Sequence, residues 1–306
     1  MYIESPMPSQ NHQFLGIIAV IIAAILWGTT GVSASFAPQV SPIAIGSMAM
    51  GVGGLLQAAI ATNIIRSYRF NLYRQWPYVL CGALSVAIYP LVFYASMRMA
   101  GVTIGTVVSI GSAPLLSAVI EAIMEKAKFS TKWIIGATLG IIGIALLSLS
   151  GQEHHADQTQ HPHLILGIGL ALLAGLTYAL YSWIARYLMQ QNIPSKAAMG
   201  SIFGIGGLLL MPVLFMTGSA FLASWSNAAV GIYMALVPMF IGYICFGYGL
   251  ARIAASTAIT ITLLEPIVAA FLAVIIIKES LSIMGWIGVI LVFTCLVCVI
   301  MPSRKK

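Results

Sequence analysis

Hydrophobic residues fill most of the chain in blocks of about twenty, and short polar segments separate the blocks. A helix needs about 20 apolar residues in a row to cross a hydrocarbon core about 30 Å thick. The pattern predicts ten spans, at residues 15–36, 43–64, 76–97, 101–123, 132–150, 164–187, 196–217, 228–250, 254–277 and 283–301. Transmembrane strands would alternate polar and apolar side chains instead. The predicted fold class is an all-α integral membrane protein.

The sequence also repeats itself at half its length. Tyr89, Tyr94, Arg98, Ala100, Thr103 and Thr106 recur 154 positions later as Tyr243, Tyr248, Arg252, Ala254, Thr257 and Thr260. Pro114 and Gly136 recur after 152 positions as Pro266 and Gly288. Because each half holds five spans, an odd number, the second half starts on the other side of the membrane. The sequence therefore predicts two inverted five-helix repeats, an architecture that secondary transporters use.

The repeats define the expected domains, a first five-helix repeat over residues 15–150 and a second over 164–301. Residues 151–163 form the one long hydrophilic connection, predicted to be periplasmic. Its acidic and imidazole groups, at Glu153, His154, His155, Asp157, His161 and His163, are potential metal ligands. A flexible segment implies no fixed ligand geometry, so a solvated linker is the favoured interpretation and no metal site is assigned.

Composition and charge place the chain in the membrane. Sixty per cent of the residues are hydrophobic and 7% are charged, whereas soluble chains carry about 25% charged residues. The formal charge of +7 does not indicate nucleic acid as a partner. With the N-terminus inside, the cytoplasmic segments contain twelve of the basic residues and the outer side only Arg98 and Lys278. We expect a multi-pass protein of the bacterial inner (plasma) membrane, surrounded by lipid, with both termini in the cytoplasm.

Three segments resemble a known family. LWGTTG at residues 26–31, GTVVSIGSAPL at 105–115 and LLEPIVAAFLAVIIIKESLS at 263–282 are similar to stretches of the drug/metabolite transporter superfamily, in members with two EamA domains. The resemblance implies a secondary exporter of amino acids or related small metabolites that works by alternating access, with a proton as one candidate coupling ion. Efflux of drugs or other cationic compounds is the alternative. The second half departs from the pattern, with LTYALY at 176–181 in place of LWGTTG.

Glu265 is the strongest candidate for coupling. It lies near the centre of the ninth span, where an ionisable side chain costs about 2.5–3.5 kcal/mol on insertion scales. It is interpreted as a group that exchanges a proton or binds the amine of a substrate; a protonated glutamate that bridges helices is the structural alternative. Glu121 lies near the end of the fourth span, and an interfacial ion pair with Lys126 or Lys128 is expected there.

Two prolines predict helix kinks that expose backbone polar groups, Pro114 in the fourth span and Pro266 in the ninth. Hydroxyl side chains accompany them at matching depths, Ser109 and Ser112 in one span and Thr260 in the other. Polar backbone inside a membrane is tolerated where it lines a cavity. These two helices are therefore predicted to contribute to a substrate site at the interface of the repeats.

Aromatic residues concentrate on the helices that line the pocket in the family: Trp27, Tyr89, Phe93, Tyr94, Tyr178, Tyr181, Tyr243 and Tyr248. Trp27, Tyr89 and Tyr243 lie deep in their spans, whereas Tyr94 and Tyr248 approach the ends, where tyrosine anchors helices at the interface. Aromatic faces suit a hydrophobic or cationic substrate. The complete prediction for the substrate site is Trp27, Thr30, Tyr89, Ser109, Ser112, Tyr178, Tyr243 and Thr260.

An enzyme is not expected. All five histidines lie outside the spans and only two acids are deep, so no catalytic residues are assigned. A GxxxxGK[ST] phosphate loop is missing from the sequence, and no cofactor is expected. Cys295 and Cys298 form a CxxC in the last span, which is interpreted as helix packing. Glycines such as Gly136, Gly140 and Gly143 permit close helix contact, in a homodimer or, preferably, within one chain.

Overall fold

Long helices make up the computed structural model, which describes residues 10–150, 163–277 and 282–300. Apolar segments in a bilayer form helices because each backbone N–H and C=O then finds its partner within the segment. The helices are α1 (Gln10–Gly28, continued by Thr30–Ser35), α2 (Pro42–Ser67), α3 (Trp76–Ala100), α4 (Val102–Met124), α5 (Thr131–Ser150), α6 (Leu164–Gln190), α7 (Ser195–Thr217), α8 (Trp225–Leu250), α9 (Ala255–Ile261 and Leu264–Leu272, continued to Ile277) and α10 (Ile283–Ile300). These described ranges contain no strand, so the predicted all-α fold is confirmed.

The helices have the length and composition of membrane spans. Within the described ranges nine of them are long and apolar enough to cross a bilayer, and α5 contributes a shorter apolar stretch, Thr131–Leu147. A short helix that the apolar pattern does not predict, Arg69–Arg74, lies between α2 and α3. The chain is a multi-pass membrane protein of about ten spans.

The two repeats interlock. Helix α1 packs against α8 and α9 of the other repeat, and α6, its counterpart, packs against α3 and α4. Helix α2 pairs with α7, and α5 pairs with α10. Exchanging the two repeats leaves this set of contacts unchanged, as expected for an inverted pair. We call α1, α8 and α9 the first bundle, and α3, α4 and α6 the second bundle.

Several spans are interrupted, and the interruptions differ between the repeats. Helix α9 is divided at Thr262 and Leu263, and Pro266 falls in the first turn of the segment that follows. A proline is tolerated there because the first-turn N–H groups of a helix have no partner within the helix. Its counterpart Pro114 lies inside a continuous α4. Helices α2 and α8 each contain a π-helical turn, at Ser47–Val52 and Ala235–Ile241.

The two ends of the bundle differ in charge. At the end where α1 begins and α10 ends, the described residues include Arg66, Arg69, Arg74, Lys126, Lys128, Lys132, Arg186, Lys196 and Arg252. At the other end the described part of the chain contributes Arg98. We call these the basic end and the opposite end. That the basic end faces the cytoplasm stays a prediction from the positive-inside rule.

Candidate functional site

Glu265 lies where α9 is interrupted, in the first turn of Leu264–Leu272. Its backbone N–H donates to the carbonyl oxygen of Thr262 over 2.9 Å, and its side chain is partly exposed. The carboxylate is close enough to act electrostatically on the hydroxyl groups of four tyrosines, Tyr89, Tyr94, Tyr178 and Tyr243. The candidate coupling residue and the candidate aromatic residues therefore share one site.

The aromatic side chains of this site come from four helices. Trp27 of α1 and Tyr243 of α8 have ring centroids 4.7 Å apart. Tyr178 of α6 lies 6.5 Å from Trp27 and 5.8 Å from Tyr89 of α3, measured between ring centroids. These separations fall within the range of about 4.5–7 Å at which aromatic pairs attract. The rings thus connect the first bundle to the second beside Glu265.

Trp27 is fixed by a hydrogen bond and by a small neighbour. Its indole Nε1 donates to the carbonyl oxygen of Pro238, 2.9 Å away, in the π-helical turn of α8. A Cβ atom on Gly242 would lie 2.7 Å from the same nitrogen, so the absence of a side chain there makes room for the indole. The ring is 4% exposed, which makes Trp27 part of the packed wall of the site.

The glycine of the LWGTTG segment brings α1 against α9. A Cβ atom on Gly28 would lie 2.5 Å from Cβ of Val268 and 2.8 Å from the carbonyl oxygen of Glu265. Such distances are shorter than packed atoms accept, so only glycine allows this approach. The sequence segment that resembles the family therefore positions the helix that carries Glu265.

Two pairs of buried hydroxyl groups join the bundles. The hydroxyl of Tyr178 on α6 is 3.0 Å from Oγ1 of Thr262 on α9, and the hydroxyl of Tyr181 is 2.7 Å from that of Tyr243 on α8. Tyr181 and Thr262 are outside the predicted substrate set. Tyr181 could have been identified from its spacing, because it follows Tyr178 by three positions and residues three apart share a helix face.

The remaining predicted substrate residues lie in different surroundings. Thr30 is partly exposed, and its hydroxyl donates to the carbonyl of Trp27 over 2.7 Å. Ser109 and Ser112 of α4 face Gly175 of α6, where a Cβ atom would lie 2.2 Å from Oγ of Ser112. Thr260 is fully buried and donates to the carbonyl of Ser256 over 2.7 Å. The hydroxyl groups of Ser112 and Thr260 donate to carbonyl groups of their own helices, whereas the buried hydroxyl of Ser109 has no hydrogen-bond partner among the described residues. The role of all four residues in substrate binding stays a prediction.

Tyr94 and Tyr248 also differ in position. Tyr94, interpreted above as an interface anchor, is partly exposed and within electrostatic range of Glu265, so it belongs to the site. Tyr248 is exposed at the basic end, with the guanidinium carbon of Arg252 3.3 Å from its ring centroid. That contact suits an anchor at the interface.

Glu121 is buried at the basic end and connects the two bundles. Its Oε1 accepts from the backbone N–H of Ser256 over 3.1 Å, and its Oε2 accepts from the Ser256 hydroxyl. The expected partners were Lys126 or Lys128; the structure provides Ser256 instead, because α4 packs directly against α9. A buried carboxylate needs such donors to offset its desolvation.

Arg186 of α6 strengthens this connection. Its Nη1 donates to the carbonyl oxygens of Leu250, at 2.9 Å, and Ile253, both at the junction of α8 and α9. We call the set Glu121, Arg186, Leu250, Ile253 and Ser256 the basic-end contact. Arg186 is one of the twelve basic residues predicted to lie in cytoplasmic segments, and this contact was not predicted from the sequence.

Exposure changes from one side of the site to the other. Toward the opposite end, the side chains of Thr30, Tyr89, Tyr94 and Glu265 are partly exposed. Toward the basic end, Glu121 is 2% exposed, Ser256 1% and Thr260 0%. In this structure the site is therefore closed to the basic end, by the two hydroxyl pairs and by the basic-end contact beneath them.

Metal-binding side chains do not assemble in the described ranges, where no group of three or more His, Cys, Asp or Glu could hold an ion. Cys295 and Cys298 are free thiols in α10. The histidine-rich linker lies outside the described residues except for His163. The described chemistry of the site is thus one carboxylate, several hydroxyl groups and aromatic faces.

Several known proteins resemble this chain in sequence or in fold. A model of the EamA-like transporter family matches residues 14–149 and 165–301. The transporter YwfM of Bacillus subtilis is 30% identical over 288 residues, 94% of each chain. The threonine/homoserine exporter RhtA of Escherichia coli K12 is 24% identical over 266 residues, 87% of this chain and 84% of that one. A solved crystal structure has the same fold, with a TM-score of 0.75 and 16% identity, and covers 92% of this chain and 95% of its own.

Proposed function

The chain belongs to the EamA-like transporter family, and on that premise we propose that it is a secondary active exporter of amino acids or related small metabolites. The similarity to threonine/homoserine exporters supports the substrate class, and the relatives named as transporters favour a transporter over an enzyme. The proposed location is the bacterial inner membrane, with the basic end and both termini in the cytoplasm.

The observation that carries the proposal is the position of Glu265 among aromatic hydroxyl groups at the contact of the bundles. A carboxylate beside aromatic faces binds an ammonium group by charge and by cation–π attraction. Within the described residues, no basic side chain acts on Glu265 electrostatically. Because a charged group inside a membrane needs a partner, this carboxylate takes either a proton or the ammonium group of a substrate.

Competition for Glu265 provides the coupling. A substrate ammonium displaces the proton on one side of the membrane, and a proton displaces the substrate on the other. The proton and the substrate ammonium group cannot bind the carboxylate at the same time, so the binding of one opposes the binding of the other. A proton that moves through 100 mV releases about 2.3 kcal/mol, which can drive export against a gradient.

Alternating access requires the basic end to open. The pairs Tyr178–Thr262 and Tyr181–Tyr243, with the basic-end contact, hold the first bundle against the second there. Rocking of the two bundles would break these bonds and bring the counterpart surfaces together at the opposite end, as inverted repeats permit. In the proposed cycle, the arrangement that is closed at the basic end is the one in which Glu265 exchanges protons with the outside.

The test is uphill transport by purified protein in proteoliposomes with an imposed proton gradient. Wild-type protein should accumulate threonine against its gradient, and Glu265→Gln, which keeps the size but removes the charge, should lose that accumulation. Glu265→Asp keeps the carboxylate and should keep proton-driven transport at a lower rate. Proton-driven accumulation by Glu265→Gln at the wild-type rate would refute the role of Glu265, and purely downhill movement by wild-type protein would refute active transport.

Efflux of cationic compounds is the second candidate, and one observation favours it. An amino acid also carries a carboxylate, yet the described part of the site offers no basic side chain to bind it. The two candidates separate when an amino acid and the amine formed by removing its carboxyl group compete for transport. An amino acid exporter should prefer the amino acid, whereas a cation exporter should prefer the amine.

A further inference from the structure

A large cavity lies at the basic end, apart from the site around Glu265. Its volume is about 970 Å³. Six parts of the chain border it: the start of α1, the end of α4 with the loop that follows, the start of α5, the end of α6, the junction of α8 and α9, and the end of α10. Neither the transport proposal nor the family assignment gives this cavity a role.

Four basic side chains line the cavity: Lys128, Lys132, Arg186 and Arg252. Glu121 is the one acidic side chain among its described lining residues, and both of its oxygens already accept hydrogen bonds from Ser256. The cavity therefore carries a net positive charge. Such a surface binds anions, most strongly those that accept several hydrogen bonds at once.

Unused hydrogen-bond donors lie in the same wall. Nε of Arg186, Nε of Arg252 and Nε1 of Trp133 are buried and have no hydrogen-bond partner among the described residues. All three side chains line the cavity. A buried donor without a partner costs free energy, and a phosphate group with its several acceptor oxygens would relieve that cost after small side-chain movements.

Apolar side chains form another part of the lining. Phe14 and Ile17 of α1 and Val299 and Ile300 of α10 border the cavity, and Phe14 is 60% exposed. A soluble anion gains nothing from these side chains. A ligand with a charged head and a hydrocarbon chain matches both parts of the surface.

We propose that this cavity binds an anionic phospholipid, with the phosphate group against Lys128, Lys132 and Arg252 and an acyl chain along Phe14 and Ile17. The basic end is the end predicted to face the cytoplasmic leaflet, where anionic lipids collect and attract basic side chains. Basic pockets between membrane helices on this side are typical lipid sites. The inference does not depend on the transported substrate or on Glu265.

Lipid binding at this place acts on the basic-end contact. Arg186, Ser256 and Glu121 belong both to that contact and to the cavity wall. A phosphate group held between Lys128, which follows α4, and Arg252, which precedes α9, adds interactions that depend on α4 and α9 staying together. The bound lipid therefore favours the state that is closed at the basic end.

The experiment measures lipid retained by the purified full-length chain, by native mass spectrometry after equilibration with phosphatidylglycerol or phosphatidylcholine. Wild-type protein should retain more phosphatidylglycerol than phosphatidylcholine. Each basic side chain near an anionic headgroup contributes about fivefold to binding, so Lys128→Gln combined with Lys132→Gln should reduce that retention about 25-fold. The matched control is Arg69→Gln combined with Arg74→Gln, which removes the same charge at the same end outside the cavity lining.

Three results would overturn the proposal. Equal retention of both lipids by wild-type protein would show that the headgroup charge is not recognised. Equal losses in the two double variants would show a diffuse effect of surface charge. Displacement of phosphatidylglycerol by an equal concentration of glycerol 3-phosphate would identify a soluble phosphate as the ligand and exclude the lipid.

Discussion

The carboxylate of Glu121 in the first repeat accepts two hydrogen bonds from Ser256 in the second, one from the backbone N–H at 3.1 Å and one from the hydroxyl. The repeat symmetry does not reproduce this pair. The position 154 residues before Ser256 is Val102, and the positions 152 and 154 residues after Glu121 are Ala273 and Ile275. The two mouths of the transporter are therefore chemically different, since among the described residues this polar connection between the bundles occurs at the basic end alone.

Loss of the Ser256 hydroxyl should loosen the basic end. A hydrogen bond to a charged group contributes about 1.5–3 kcal/mol, so Ser256→Ala should raise the population of the open state by about tenfold or more. Thr260, fully buried behind the contact, offers a place for a reporter. In a background without other cysteines, a cysteine at position 260 should react with a membrane-impermeant maleimide from the basic end faster when Ser256 is alanine.

The control for this experiment is Ser67→Ala. Ser67 is exposed at the same end, and its hydroxyl donates only to the carbonyl of Asn63 in its own helix. The maleimide rate should stay at the wild-type value in that variant. A rate that Ser256→Ala leaves unchanged would show that the Glu121–Ser256 pair does not hold the basic end closed.

The hydroxyl pair of Tyr181 and Tyr243 should contribute to stability through a mutual bond. Each single change to phenylalanine leaves the other buried hydroxyl without a partner, at a cost of about 1–3 kcal/mol, whereas changing both removes the pair and is nearly neutral. The losses in the free energy of unfolding caused by the two single changes should therefore add up to more than the loss caused by the double change. Unfolding in detergent measures all three values. Tyr73→Phe, at a side chain that is 77% exposed, should be neutral.

The architecture could be predicted from the sequence because it depends on local patterns. Blocks of about twenty apolar residues give the spans, and an odd number of spans in each repeat gives the inversion. Glu265 could be identified because an acid in a span stands out from its neighbours. The break in α9 was harder to predict, because Pro114 occupies the matching place in a helix that remains continuous.

The partners of the polar groups could not be predicted. Glu121 and Ser256 are 135 positions apart, and no local pattern shows that α4 and α9 meet. Lys126 and Lys128 are closer to Glu121 in sequence, which made an interfacial ion pair the simpler expectation. The orientation of the Thr260 hydroxyl could not be predicted either. It donates to a carbonyl oxygen of its own helix, and that carbonyl competes with any substrate for the hydroxyl.

Removing the Trp27 hydrogen bond should destabilise the first bundle. Trp27→Phe keeps the aromatic ring but leaves the carbonyl oxygen of Pro238 buried without its donor, at a cost of about 1–3 kcal/mol. The midpoint of thermal unfolding in detergent should fall. Trp76→Phe provides the matched control, since that indole is 56% exposed at the start of α3. Equal shifts in the two variants would show that the indole N–H contributes nothing specific.

The two glycines of LWGTTG should differ in how well they tolerate a change to alanine. Gly28→Ala would place a Cβ atom 2.5 Å from Cβ of Val268 and 2.8 Å from the carbonyl oxygen of Glu265, whereas a Cβ atom on Gly31 would meet nothing within 4 Å. Overpacking costs about 1–3 kcal/mol, and α1 must here move away from the segment that carries Glu265. Gly28→Ala should therefore lower both the thermal midpoint and proton-driven uptake, while Gly31→Ala leaves both near wild type. Wild-type uptake in Gly28→Ala would show that the close approach of α1 and α9 does not position Glu265.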